Sequence, residues 1–127
     1  ERDKLSGQLV LNQPAGHMEE DEDILRAICR EVTEETGLIL VPTAWLGISQ
    51  LKAANGHTYV RVNFLFEPTA LPTHYQPQDN DIIALHWLTL TELQQHALPV
   101  RSQLVIAAIE SCLHGVRLPL NLIQPLA

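Results

Sequence analysis

Residues 23–37 read as a single α-helix with both ends marked, and this constrains the rest of the chain. Leu25, Ile28, Cys29 and Val32 recur at helical spacing and fall on one apolar stripe. Asp21, Glu22 and Asp23 supply the acidic entry that favours a helix N-terminus, and Gly37 follows as a left-handed C-cap. Glu31, Glu34 and Glu35 stand at i, i+3 and i+4, so three carboxylates share one arc beside the apolar stripe. Like charges at this spacing cost a few tenths of a kcal/mol per pair. An acidic face can simply be solvated, but this one abuts Pro14-Ala15-Gly16-His17, a loop whose glycine lets backbone approach a ligand closely. Loop and acidic face make two walls of one site, and a hard divalent cation would relieve the repulsion between the carboxylates.

Around this helix the signals alternate. Residues 8–11 are a short strand candidate, ended by Asn12, Gln13 and Pro14. Two further strands are expected over Thr43–Leu51 and Thr58–Glu67, turning at Asn55-Gly56. A Pro-rich loop (Pro68, Pro72, Pro77) leads to Asp79-Asn80-Asp81 and a strand from Ile82 to Leu88. Thr89 with Glu92 forms a capping box for a short helix reaching about Ala97. Ser102 caps a last helix, whose Leu104, Val105, Ala108, Ile109 and Leu113 share a face before Gly115. The order β, α, β, β, β, α, α implies an α/β or α+β sandwich, a mixed sheet with helices on both sides. One domain is expected to span residues 1–127, since 46% hydrophobic content supplies a core without disulfides.

Charge narrows the partners. With a formal net charge of −7 and only 8 Lys+Arg, the chain lacks the cationic face that nucleic-acid binding needs. It can host an anionic phosphate compound only if cations lie between the two. No apolar run is long enough for a membrane span. Cys29 and Cys112 have no ligand spacing and read as small buried hydrophobes, consistent with a reducing, cytoplasmic location.

The spacing itself points further. Gly16, five residues, Glu22, seven residues, Arg30-Glu31-Val32, one residue, Glu34-Glu35, one residue and Gly37-Leu38 resemble the Nudix box at every defined position, residues 16–38. The resemblance to the Nudix hydrolase family implies an α/β/α sandwich and an enzyme that cuts phosphoanhydride bonds with Mg²⁺, or Mn²⁺ in its place. It implies that Glu31, Glu34 and Glu35 hold the metal with the Ala15 carbonyl, and that Glu31 or Glu34 prepares the attacking water. Glu22 and Arg30 then pair to brace the helix. Asp79 and Asp81 are either an added metal or base site or ordinary turn aspartates. Gly16, His17, Lys52 and Arg61 are candidate substrate contacts, although His17 replaces the second glycine of many such boxes and can equally face solvent, and the two cations can equally be surface residues.

Further stretches resemble the NudJ-type phosphatase branch: Asn12-Gln13-Pro14-Ala15-Gly16-His17, Gln78-Asp79-Asn80-Asp81-Ile82, and Arg101-Ser102 with Leu104-Val105. That branch implies orthophosphate release from nucleoside di- and triphosphates or from thiamine and hydroxymethylpyrimidine pyrophosphates. The alternatives are a pyrophosphatase for ADP-ribose or a nucleotide sugar, or a Nudix-like domain that senses nucleotides without cutting them. The expected partner is a small phosphate compound, and the expected state is a monomer or homodimer. Family members enter the box through a two-strand hairpin, so a chain with 15 residues before Gly16 is expected to lack that N-terminal hairpin. Trp87 is expected to pack in the core or at a strand end rather than to serve as a base-stacking platform; Tyr59, Tyr75 and Phe64 are the other aromatics able to stack on a base.

Overall fold

The computed structural model describes residues 1–70 and 74–126. Pro72, one of the three prolines of the long loop, lies outside the described residues. The order is α1 (Ile24–Thr36), β1 (Ala44–Lys52), β2 (Thr58–Leu65), α2 (Leu90–Gln95), α3 (Gln103–Leu113) and a 3₁₀ turn at Leu120–Leu122. This is an α/β fold, three helices around a small antiparallel sheet.

Both marks read on α1 hold. Asp23 is the N-cap, its carboxylate accepting the Arg26 N–H, and Gly37 is the C-cap at φ 79°, its N–H donating to Thr33 O. A side chain at Gly37 would also collide with the backbone of Gln76, whose carbonyl oxygen would lie 2.6 Å from an added Cβ. That close approach lets the loop after β2 satisfy the helix's last carbonyls: Gln76 N–H donates to Thr36 O, and Gln78 and Asp79 N–H both donate to Glu34 O. Of the expected apolar stripe, Val32 is buried, while Leu25, Ile28 and Cys29 are half-buried.

The hairpin runs antiparallel from Ala44 opposite Leu65 to Lys52 opposite Thr58. Its turn is longer than the two-residue form: Ala53 N–H donates to His57 O and Gly56, at φ 87°, donates back to Ala53 O. A bulge between Trp45 and Gly47 leaves Leu46 unpaired and buried. Gly47 takes φ 95° there, a left-handed value that strains any side chain. Leu118 closes the outer edge of β1 by exchanging backbone hydrogen bonds with Trp45.

Two expected strands are corrected. Residues 8–11 pair only through isolated bridges, Leu9 antiparallel to Arg2 and Leu11 parallel to Val100. The segment from Ile82 to Leu88 has no regular secondary structure and pairs with no strand among the described residues. Alternating apolar residues mark a chain able to join a sheet; the strand itself needs a neighbour to take its backbone hydrogen bonds. Trp87 is consequently not core: it is 49% exposed, and its indole N–H is bonded to the Tyr75 hydroxyl. Leu113, expected on the buried face of α3, is exposed for a similar reason, since it ends the helix beyond the residues that pack.

α2 carries the full capping box between Thr89 and Glu92, and Ser102 caps α3 by accepting the Leu104 N–H. These two helices and the Leu11 segment form the core: Leu11, Leu93 and Val105 are buried together, flanked by Leu88, Leu90, Leu98, Val100, Ile106 and Ile109. Gln13 ties the entry of the box loop to this core by donating from Nε2 to Val105 O at 2.8 Å. Among the described residues no helix is long and apolar enough to cross a membrane.

Candidate active site

The box loop and α1 are joined by their own side chains. Glu35 is only 5% exposed, and its Oε2 accepts the Ala15 N–H at 3.0 Å. Burial pushes its carboxyl up to about 8. The Ala15 hydrogen bond opposes that rise, while the neighbouring charges of Glu1, Glu31 and Asp79 add to it. A carboxylate in this setting is short of positive charge.

Glu31 lies against Gly16 so closely that an added Cβ would fall 2.0 Å from its Oε1. Here the glycine is required by space. Burial raises the Glu31 carboxyl, with Arg30 opposing and Glu34 and Glu22 adding. We expect Gly16→Ala to leave melting temperature nearly unchanged, because the far end of Glu31 can swing aside. Turnover should fall about 10- to 100-fold, the scale seen when the support of a site carboxylate is disturbed, and steady-state kinetics beside a thermal melt would check both.

Arg30 is the hub. Its Nε and Nη2 form a fork on Glu22 at 2.6 and 2.9 Å, and Nη2 also donates to His17 O at 3.0 Å. This fork pulls Glu22 down to about 2, the Arg30 hydrogen bond being the largest cause and the Glu19 N–H the next. The contact between Glu22 and Arg30 that the Nudix resemblance implied is present. Sequence reasoning missed the third nitrogen: Nη1 donates to Glu31 Oε1 at 2.9 Å and to Glu34 Oε2 at 3.1 Å. Two of the three box carboxylates thus already converge on one cationic atom. Helical spacing alone contains the i,i+4 pairing of Arg30 with Glu34 and could have shown it.

The donors fit a hard divalent cation in kind: two half-buried carboxylates on Arg30 and a third, buried one on the Ala15 N–H, all oxygen ligands beside the box loop. They do not form a finished cage. Among the described residues no three His, Cys, Asp or Glu side chains converge on one point. Glu35 is turned to the Ala15 N–H while Glu31 and Glu34 face Arg30.

The remaining candidates separate. Asp79 is held beside α1 by its N–H on Glu34 O, and its charge reaches Glu35. Its Oδ1 accepts the Asp81 N–H, the arrangement of a turn aspartate. Asp81 instead faces Lys4, 3.7 Å away. His17 is exposed, and its backbone oxygen serves Arg30. Arg61 is half-buried on β2 opposite Ser49, within reach of Asn12 and Gln13. Lys52 lies three positions from Ser49 at the hairpin end, so the strand alternation turns it to the other face, exposed.

Comparison with known proteins agrees with this geometry. A NUDIX domain profile matches residues 2–108. The chain is 37% identical over 120 residues to Phosphatase NudJ of Escherichia coli K12 and to that of Shigella flexneri, covering 94% of this chain and 76% of each relative. A solved NUDIX hydrolase from Nitrosomonas europaea superposes with a TM-score of 0.82 at 36% identity, covering 92% of this chain and 79% of that one. A helix that gathers its acids on one arginine, in a fold shared at this level of identity, leaves one assignment: the chain is a hydrolase and belongs to the Nudix family.

Proposed function

We propose that this Nudix hydrolase releases orthophosphate from small diphosphate and triphosphate compounds, namely nucleoside di- and triphosphates or thiamine-type pyrophosphates, with Mg²⁺ as cofactor. The observation that carries the reading is the convergence of Glu31 and Glu34 on Arg30 Nη1 beside the buried Glu35. Such a cluster binds a cation by charge, and a chain of net charge −7 requires one before it can hold a polyphosphate. The likeness to phosphatases named NudJ supports orthophosphate as the product.

When bound, Mg²⁺ polarises phosphoryl oxygens and neutralises the charge that builds on them. Glu31, Glu34 and Glu35, with the Ala15 carbonyl that the Nudix resemblance adds, are the residues that would hold it. Either Glu31 or Glu34 accepts the proton of the water that attacks phosphorus. Glu22 keeps Arg30 fixed on the His17 carbonyl, and so holds the loop against the helix. Gly16 leaves the space in which the Glu31 carboxylate stands. Asp79, anchored on the last turn of α1, adds negative field at Glu35.

A substrate panel tests this reading. Nucleoside di- and triphosphates, thiamine pyrophosphate and ADP-ribose would be incubated with Mg²⁺ and scored separately for orthophosphate and pyrophosphate. Orthophosphate from the first three is expected, and its disappearance on chelation. AMP from ADP-ribose as the dominant product would overturn the substrate assignment, and turnover unaffected by chelation would overturn the cofactor.

A further inference from the structure

Arg61 stands apart from the other arginines that reach acidic partners. Arg26 pairs with Asp23, Arg30 with Glu19, Glu22, Glu31 and Glu34, and Arg101 with Glu1. Among the described residues Arg61 forms no ion pair, although its side chain is half-buried in the middle of β2. Its Nη1 reaches only two neutral oxygens, Asn12 Oδ1 at 3.4 Å and Gln13 Oε1 at 3.5 Å. Both contacts lie at the long end of the hydrogen-bond range, where little energy is recovered. A guanidinium taken from water without a carboxylate is unfavourable to the fold. Burial lowers its affinity for the proton, Arg101 adds to that, and Glu1 and Glu35 oppose it.

Its surroundings are oriented. The Gln13 amide donates from Nε2 to Val105 O at the start of α3, which leaves Oε1 for Arg61. Asn12 likewise donates from Nδ2 and turns Oδ1 toward the guanidinium. Asn63 shares the face of β2 with Arg61 and is buried, but its amide donates to Ser49 Oγ and offers no countercharge. The segment that meets Arg61 at Asn12 and Gln13 meets Glu35 at Ala15 and Glu31 at Gly16. Arg61 and the box carboxylates therefore flank one short stretch of loop, and among the described residues neither Arg61 nor the buried Glu35 has an ion-pair partner.

We propose that Arg61, oriented by Asn12 and Gln13, binds the non-bridging phosphoryl oxygens of the substrate and is its main protein-borne anion contact. This deepens the phosphatase reading above and rests on it. The planar fork suits two oxygens of one phosphoryl group. An anion arriving there supplies the countercharge that the fold omits, so part of the cost of burying Arg61 is returned only on binding.

The test uses the intact chain and imidodiphosphate, a pyrophosphate analogue that resists hydrolysis, titrated calorimetrically with Mg²⁺ present. Arg61→Met should weaken binding by about 30-fold or more, with the melting temperature of the ligand-free protein unchanged or raised. Arg61→Lys should recover part of the affinity. Asn12→Asp, which supplies an internal carboxylate while leaving Arg61 in place, should weaken binding about 10-fold and keeps the test open if the Met variant does not fold. Arg61→Met binding within about threefold of wild type overturns the proposal, as does a lowered melting temperature with affinity retained. So does a wild-type chain that does not bind the analogue. Binding that depends on Arg61 in a protein that turns over no phosphate compound would sink the phosphatase reading and leave this contact standing.

Discussion

Glu35→Gln is expected to lower Mg²⁺-dependent phosphate release by at least about 10²-fold, because the proposed metal site loses one of its three carboxylates and the charge that goes with it. The substitution removes charge and little else. An amide oxygen can still accept the Ala15 N–H that Glu35 Oε2 now accepts, and the side-chain volume is kept. Because burial already holds this carboxyl up to about 8, an uncharged group is what the metal-free fold prefers at neutral pH. The variant should therefore fold at least as well as wild type while turning over far more slowly. Near-normal turnover in a folded Glu35→Gln protein would remove Glu35 from the metal site.

The metal-free protein should lose stability as pH rises, and Glu35 is the reason. Its carboxyl releases its proton near 4.5 in the unfolded chain and near 8 in the folded one. Between those values the folded state holds the extra proton. The contribution is complete below about 4.5 and is lost as pH climbs through about 8. Over about pH 5 to 9 this amounts to something on the order of 4 kcal/mol. Urea titrations of metal-free wild type and Glu35→Gln at several pH values would isolate it as the difference between the two curves. A difference that does not change with pH would contradict the burial of an acid at this position. Added Mg²⁺ should flatten the wild-type curve, since a bound cation favours the ionised carboxylate.

Local signals were the legible ones. The ends of α1 at Asp23 and Gly37, the Thr89 capping box and the Ser102 cap each depend on a few adjacent residues meeting their own backbone, and each stands where it was read. The hairpin was legible for the same reason, except that its turn takes five residues, Ala53 to His57. The fate of Ile82 to Leu88 was not legible, because pairing depends on a neighbour that the segment does not contain. Trp87, on that unpaired segment, is at the surface.

The site divided in the same way. The acidic arc could be read from spacing, and the Glu22–Arg30 pair was implied by the Nudix resemblance. The reach of Arg30 to Glu31 and Glu34 with its third nitrogen lies within one helical turn and is contained in the spacing too. Two further features depend on distance across the fold: the Ala15 N–H, rather than its carbonyl, faces Glu35, and Asp81 turns to Lys4. Lys52 and Arg61 looked alike as lone cations on neighbouring strands. Only the register, with Arg61 opposite Ser49, separates an exposed lysine from a half-buried arginine.

The bonds that join loop to helix have a consequence for the order of assembly. Those within the box span 8 residues from Glu22 to Arg30, 13 from His17 to Arg30 and 20 from Ala15 to Glu35. The arginine on β2 reaches back 49 and 48 residues, and the Gln13 bond that orients its partner spans 92. Closing 92 residues rather than 20 costs only about 1.4 kcal/mol more in chain entropy, yet long closures slow folding. The acidic centre is thus a near-neighbour structure, able to gather while the chain is still open. The contacts that orient Arg61 wait for the last and longest closures, so a half-folded copy would hold the acidic cluster without the arginine proposed to meet the ligand's charge.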